Sequence, residues 1–221
     1  MKYGEALPST FKYVPFWAKG DLKNNPFSLL PISPGDVAMD CGAHVGMFAA
    51  AVLEQGAVKV YAYEPAPKNF ARLNENLAKY GDRAETVNAA LTGRKRDGEV
   101  LLALSGFDGA HQLAEIATGL GKPIKKTVAV AVLSFRKQLL LRNPTVVKVD
   151  VEGAEYELFD ALQPGDLTGV RGLFVEFHPA DDKLAKIAKI QRYAASEGLT
   201  ALSNRLRAFV AVRQKEEDWL K

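Results

Sequence analysis

Cysteine is almost absent from this sequence: Cys41 is the only one in 221 residues. A framework of disulfides is therefore excluded. Uncharged apolar runs are also short. The longest, 41–53, contains His44 and two glycines, and it falls short of the roughly 20 residues that a transmembrane helix needs. Residues 1–10 have no apolar core of a secretory signal. These absences predict a protein of the reducing cytoplasm without a membrane span.

An excess of one charge is missing too. Lysine and arginine number 29 and aspartate and glutamate 26, so the formal net charge is 29 − 26 = +3. The basic residues are scattered rather than clustered, which makes nucleic acid an unfavoured partner. Hydrophobic residues make up 48% of the chain and charged residues 25%, which is ordinary globular usage. A chain of this length buries about 70% of its unfolded surface, so one folded domain is predicted.

The chain divides into an arm, 1–35, and a domain, 36–221. The arm is rich in aromatic residues and proline, which leaves no helical or strand period. It is expected to pack on the domain, and a lid over a pocket is the alternative. The domain begins with the pattern β-α-β-α-β, which indicates an α/β fold with a doubly wound parallel sheet. Strands are predicted at 36–40, 58–63, 84–90, 99–104, 127–132, 145–150, 170–177, 199–202 and 206–212, and helices at 45–55, 67–80, 133–142, 154–162 and 181–197.

The turn after the first predicted strand contains Asp40, Gly42 and Gly46. Glycine lets a ligand approach the backbone closely, and the N–H groups at a helix start bind anionic groups. The glycines are spaced G-x-x-x-G, not G-x-G-x-x-G, so pyrophosphate binding and an NAD-dependent dehydrogenase are disfavoured. Glu64 ends the second strand, 64 − 40 = 24 residues after Asp40. An acidic residue there binds ribose hydroxyls in nucleoside-binding folds, so a nucleoside ligand is predicted.

The third predicted strand ends at Asn88 and Ala89. That position lies beside the expected place of a base, and small alanines would leave room for a flat ring. For Asn88, a turn residue at a strand end is an almost equally good interpretation.

A second charged turn spans 148–155 and follows a strand. Asp150 lies at the carboxyl end of that strand, which is the edge where open α/β sheets bind ligands. Lys148 shares its face, and a buried lysine needs a partner such as Asp150 or Glu152. The clustering of charge favours a functional role for Asp150 and Glu152. Glu155 is interpreted as a structural charge in the first turn of a helix.

Glu176 and His178 alternate out of the next parallel strand toward one face. Because parallel strands end at the same edge, they are expected beside Asp150. A Glu-x-His pair beside an aspartate is typical of acid–base or metal chemistry.

Residues 36–178 resemble the FkbM family of S-adenosylmethionine-dependent methyltransferases. The resemblance implies a class I methyltransferase (Rossmann-like) fold with a seven-stranded sheet and an antiparallel last strand. It implies that Asp40, Gly42 and Gly46 line the methionine end of the cofactor, that Glu64 binds the ribose and that Asn88 lies near the adenine. An asparagine is common in the family at the position of His44. The motifs that carry it are 40–48 (DCGAHVGMF), 63–65 (YEP), 88–91 (NAAL), 148–155 (KVDVEGAE) and 175–178 (VEFH).

The family resemblance implies O-methylation of a hydroxyl on a small molecule or sugar. A hydroxyl acceptor must lose a proton, for which Asp150, Glu176 and His178 are the predicted bases. A Mg²⁺ ion held by these carboxylates is the less favoured alternative. The predicted cofactor residues are Asp40, Gly42, Ala43, His44, Gly46, Glu64, Asn88 and Ala89, and the predicted acceptor residues are Glu152 and Asp108.

Two other functions remain open at this point. One is methylation of a nucleic-acid ribose, which would require a basic groove. The other is a cofactor-binding protein without transferase activity, against which the intact set of Asp40, Glu64 and Asp150 argues. The loop 105–121 and the aromatic arm are expected to shape the acceptor pocket.

Overall fold

The computed structural model describes residues 30–94, 97–106, 110–204 and 208–213. A short 3-10 helix, Ala78–Arg83, directly follows the α-helix Pro67–Leu77. In chain order the other elements are β1 (Val37–Cys41), α1 (Met47–Glu54), β2 (Lys59–Tyr63), α2 (Pro67–Leu77), β3 (Ala84–Val87), β4 (Ala90–Thr92), β5 (Gly98–Ala103), β6 (Gln112–Leu113), α3 (Ala114–Gly119), β7 (Thr127–Ser134), α4 (Phe135–Arg142), β8 (Val146–Val149), α5 (Glu155–Asp160), β9 (Gly172–Glu176), α6 (Lys183–Ser196), β10 (Thr200–Asn204) and β11 (Ala208–Val212).

A seven-stranded sheet forms the centre of the fold, in the order β10-β11-β9-β8-β1-β2-β3. Strands β3, β2, β1, β8 and β9 are parallel to their neighbours in that series. Strand β11 is antiparallel to both β9 and β10. This arrangement confirms the predicted α/β class I methyltransferase fold and its antiparallel last strand. The strand order changes direction between β1 and β8, which is where open α/β sheets place their ligands.

Both faces of this sheet are buried, as expected for parallel strands covered by helices. Alternate residues of β1 point to opposite sides. Met39 and Cys41 pack in the cluster that contains residues of α4, α5 and α6. Ala38 packs in the cluster that contains residues of α1 and α2. Cys41 is fully buried, and burial raises the pKa of its thiol well above the usual range, so it serves as a packing residue.

A second sheet, β4-β7-β5-β6, was not predicted. One strand is predicted at 84–90, but the structure divides it at Asn88. The side-chain amide of Asn88 donates hydrogen bonds to the backbone oxygens of Glu64 (2.8 Å) and Pro65 (3.1 Å). The chain turns there, so β3 joins the central sheet and β4 joins the second one. The segment 105–121, for which a loop with a weak helix is predicted, contains the helix α3 and also the short strand β6.

The second sheet packs on the edge of the central sheet that carries the predicted site. Its buried side chains include Leu102, Leu113 and Val130, which cluster with Ala66 and Ala154. Those two alanines directly precede α2 and α5. The apolar face of the second sheet therefore lies against the turns that follow β2 and β8.

The opposite edge of the central sheet is held by the buried carboxylate of Asp36. It accepts hydrogen bonds from Ser33 N (2.6 Å), from Thr145 Oγ1 (2.8 Å) and from the Arg171 guanidinium. Most of the predicted arm, residues 1–29, lies outside the described residues, and the division into arm and domain stays a prediction. In the part of the chain that the structure describes, no helix is long and apolar enough to cross a membrane.

Candidate active site

The turns after β1 and β8 lie backbone to backbone at the carboxyl edge of the central sheet. Asp150 N, after β8, donates to Cys41 O at the end of β1 (3.0 Å). On the other side of β1, Gly42 N donates to Tyr63 O at the end of β2 (3.0 Å). Gly42 has φ +79°, and a Cβ at this position would overlap the backbone oxygen of Asp150. The contact between the two turns therefore requires a glycine at position 42. The sequence predicts a different reason for this glycine, the close approach of a ligand.

Two further residues of the turn after β1 have a backbone with positive φ. His44 has φ 53° and Gly46 has φ 89°. A Cβ at Gly46 would lie 2.7 Å from Leu73 Cδ1, so this glycine lets α1 pack closely on α2. The amide of His44 points at the end of β2 and donates to Glu64 Oε2 (2.8 Å). Ala43, the other predicted cofactor residue of this turn, is buried.

Glu64 is almost completely buried, with 6% of its surface exposed. Its Oε2 accepts from His44 N, and its Oε1 accepts from Ala66 N (2.9 Å). Burial raises the pKa of Glu64 to about 7, although the two amides oppose the shift. Each carboxylate oxygen can accept more than one hydrogen bond, so both can still accept one from a ribose hydroxyl.

Asn88 and Ala89 follow β3 and lie next to the backbone of Glu64. Asn88 is exposed and fastens the end of β3 to the turn after β2 through its two amide hydrogen bonds. Ala89 is buried. The structure thus gives Asn88 a role in the turn, and its role toward an adenine stays a prediction.

A buried lysine joins the first turn to the turn after β8. Lys148 Nζ lies 3.1 Å from Asp40 Oδ1 and 3.4 Å from Asp150 Oδ2, and it donates to Gly42 O (2.9 Å). Burial alone would lower the pKa of Lys148, but the charges of Asp40 and Asp150 reverse this and raise it above the usual range. Asp150 was a predicted partner of Lys148, whereas the closer partner, Asp40, was not.

His178 lies among three carboxylates. Its Nε2 is 3.4 Å from Glu152 and 3.8 Å from Asp150, and its Nδ1 is 3.4 Å from Glu155. Burial opposes the charged imidazolium, but the nearby carboxylates of Glu152 and Glu155 outweigh it and raise the pKa of His178 to about 10. His178 therefore carries a positive charge at neutral pH.

Glu155 has a larger structural role than a charge in the first turn of a helix. It is completely buried, and it accepts hydrogen bonds from His178 N (2.7 Å) and Gly153 N (2.9 Å). It connects the start of α5 to the segment after β9. The sequence indicated a structural residue here, but its link to His178 depends on the tertiary fold.

The second sheet holds the acidic turn through Gln112, a residue that the sequence did not single out. Buried Gln112 donates from Nε2 to Glu152 O (2.5 Å) and accepts from Lys122 Nζ (2.6 Å). Glu152 itself has φ 54°, which is uncommon for a residue other than glycine. No local pattern marks Gln112, because its contact exists only once the second sheet has packed.

The other predicted residues are placed differently. Glu176 ends β9, is half-buried and pairs with Ala208 of β11, and its role as a base stays a prediction. Asp108 lies outside the described residues. Ligand atoms of Asp150, Glu152 and His178 lie within 4.8 Å of one another, a spacing that would also suit a divalent cation.

Comparison with known proteins gives matches to methyltransferases. The methyltransferase FkbM domain matches residues 40–210. The 31-O-demethyl-FK506 methyltransferase FkbM of Streptomyces tacrolimicus is 25% identical over 73% of this chain and 72% of its own length. The hexuronic acid methyltransferase AglP of Haloferax volcanii is 27% identical over 82% of this chain and 72% of its own length.

A solved structure has the same fold. The methyltransferase FkbM from Methylobacillus flagellatus KT matches 96% of this chain with a TM-score of 0.53 and 15% identity. The match covers 47% of that protein, so this chain spans about half of its length.

Proposed function

This chain belongs to the FkbM methyltransferase family, and from that premise we propose that it transfers the methyl group of S-adenosylmethionine to a hydroxyl of a small molecule or sugar. One observation carries the proposal: the glycine turn after β1 and the acidic turn after β8 are in backbone contact and share Lys148. Two relatives, named as methyltransferases of 31-O-demethyl-FK506 and of hexuronic acid, support an acceptor of this kind.

The cofactor half of the proposed site comprises the turns after β1, β2 and β3. Glu64 would accept from the ribose hydroxyls, since both of its oxygens are fixed by backbone amides. Bound S-adenosylmethionine supplies a methyl group on a sulfonium, which is already a strong methyl donor. The other residues proposed to hold it are Asp40, Gly42, Ala43, His44, Gly46, Asn88 and Ala89.

The acceptor half is the turn after β8. We assign Asp150 as the base, because its carboxylate is partly exposed and lies next to the cofactor turn. Asp150 would take the proton of the acceptor hydroxyl while the acceptor oxygen receives the methyl group that bound S-adenosylmethionine would supply. His178 is less suited to accept it, because its raised pKa keeps it protonated at neutral pH. Its charge instead holds Asp150 and Glu152 in place.

Methyl transfer tests this function directly. The protein is incubated with S-adenosylmethionine and a set of sugars, uronic acids and macrolide alcohols, and the products are searched by mass spectrometry for an added methyl group. The expected result is an O-methylated acceptor. Calorimetry that finds no binding of S-adenosylmethionine would refute the proposal, and methylation of RNA alone would transfer it to the nucleic-acid class.

The pKa of Glu64 predicts how cofactor binding depends on pH. Below pH 7 the buried carboxyl is neutral, so it must lose a proton before both oxygens can accept from the ribose. Linkage of this proton to binding makes the affinity at pH 6 about tenfold lower than at pH 8. Calorimetry across this range measures the effect.

The matched control for this pH dependence is Glu64→Gln, which keeps the shape of the side chain but does not titrate. Its affinity is expected to be nearly constant between pH 6 and 8, and lower than the wild-type value at pH 8. A wild-type affinity that is flat with pH, or that falls as the pH rises, would show that Glu64 does not bind the ribose.

Removal of metal distinguishes base catalysis by Asp150 from catalysis by a bound cation. With Asp150 as the base, activity after EDTA treatment and gel filtration is expected to stay within about twofold of the untreated value, since metal catalysis is worth several kcal/mol when it is used. Initial rates with and without EDTA provide the measurement. A loss of activity that Mg²⁺ restores would instead make Asp150, Glu152 and His178 the ligands of a catalytic cation.

A further inference from the structure

Lys148 is the most deeply buried cation of the site. It lies on β8 with 3% of its surface exposed, and β8 is buried along its whole length. A charge in such a place is costly unless it is paired. The ammonium group has three N–H donors, and Gly42 O, Asp40 Oδ1 and Asp150 Oδ2 lie 2.9, 3.1 and 3.4 Å from Nζ.

The sheet register brings these acceptors together. Asp40 of β1 and Lys148 of β8 are direct neighbours across the parallel pair, and Asp150 lies two residues farther along, on the same face. Gly42 follows β1 and meets the backbone of Asp150. The lysine thus contacts the turn assigned to the cofactor and the carboxylate assigned to the acceptor at the same time.

We propose that Lys148 is a positioning residue for methyl transfer: it fixes the distance between the cofactor turn and Asp150, so that the acceptor is held in line with the methyl group. The inference rests on the proposed function. Transfer between two bound reactants depends steeply on their alignment, and a displacement of 1 Å can cost about 100-fold in rate. A lysine that merely offset the buried charge of Asp40 would not need to reach Gly42 O and Asp150.

The test is Lys148→Met, which keeps the length of the side chain and removes its donors and charge. We expect kcat to fall by about 100-fold at saturating S-adenosylmethionine, while the calorimetric Kd for S-adenosylmethionine changes by less than about tenfold. The stoichiometry of that titration counts the folded molecules, so misfolding cannot imitate the loss of kcat. Lys59→Met is the matched control. Lys59 pairs with Glu85 on the same sheet, away from the site, and its variant is expected to keep the wild-type kcat.

Lys148→Met leaves Asp40 as an unpaired buried charge and can prevent folding. In that event the double variant Asp40→Asn/Lys148→Met, which removes both charges, is compared with Asp40→Asn alone, and the same 100-fold difference in kcat is expected. A kcat within about threefold of the matching reference would overturn the inference, because Lys148 would then only neutralise Asp40. A wild-type protein that does not bind S-adenosylmethionine would refute the proposed function instead.

Discussion

Replacing Asp150 with asparagine is expected to lower kcat by about 10²–10⁴-fold, the usual contribution of a positioned general base. The amide has nearly the same shape as the carboxylate and its oxygen can still accept from Lys148, but it cannot take the proton of the acceptor hydroxyl. Binding of S-adenosylmethionine should change little, since Asp150 is assigned to the acceptor. Steady-state kinetics and calorimetry on one preparation measure both quantities.

Asp160→Asn provides the control for this substitution. Asp160 ends α5 and pairs with Lys189 on the surface at 2.7 Å, so the same chemical change is made outside the site and should leave kcat unchanged. His178→Gln tests the competing base. If Asp150→Asn kept its kcat while His178→Gln lost it, the assignment of the base to Asp150 would be wrong.

Gly42→Ala is expected to destabilise the protein by about 3 kcal/mol or more, at the high end for a single substitution. The new Cβ would overlap the carbonyl oxygen of Asp150, and that oxygen belongs to the backbone and cannot rotate away. The turns after β1 and β8 must then separate. For a domain of this size the melting temperature should fall by about 6–12 °C, which thermal unfolding followed by circular dichroism measures.

Gly81→Ala separates this overlap from the strain of a left-handed backbone. Gly81 also has a positive φ, +54°, but a Cβ there meets nothing within 4 Å. Its cost should be about 1–3 kcal/mol, the strain of the backbone at φ 54° and ψ −136° alone, and smaller than that of Gly42→Ala. Equal losses of stability in the two variants would mean that the turns at Gly42 and Asp150 are not in close contact.

The edge that carries the site could be predicted because it follows from local patterns. Asp40, Glu64 and Asp150 each end an apolar strand, and parallel strands end at one edge, so their proximity needs no knowledge of side-chain packing. The family resemblance added the seven-stranded fold, which the structure confirms. Roles of the individual site residues stay predictions that the experiments above test.

The second sheet could not be predicted in the same way. Strands β4 and β6 have three and two residues, too few to show a period. The pairing of β4 is also distant in sequence, since Ala90 pairs with Val132, whereas β6 pairs nearby, Leu113 with Leu102. The contact of Gln112 with Glu152 depends on that packing. The raised pKa of His178 depends on its tertiary contacts with Glu152 and Glu155, so a histidine that resembles a base in the sequence is a cation in the fold.

The second sheet is one continuous segment, from β4 to the end of β7, inserted between two strands of the central sheet. Its strands form a sheet of their own, and the register that holds Asp40 and Lys148 together is that of β1 with β8. Because Gln112 holds the backbone of Glu152 from this segment, changes in it would reach the acceptor side, while the turn after β1 makes its backbone hydrogen bonds to the ends of β2 and β8. Such a division would let one methyl-transfer core serve many different alcohols.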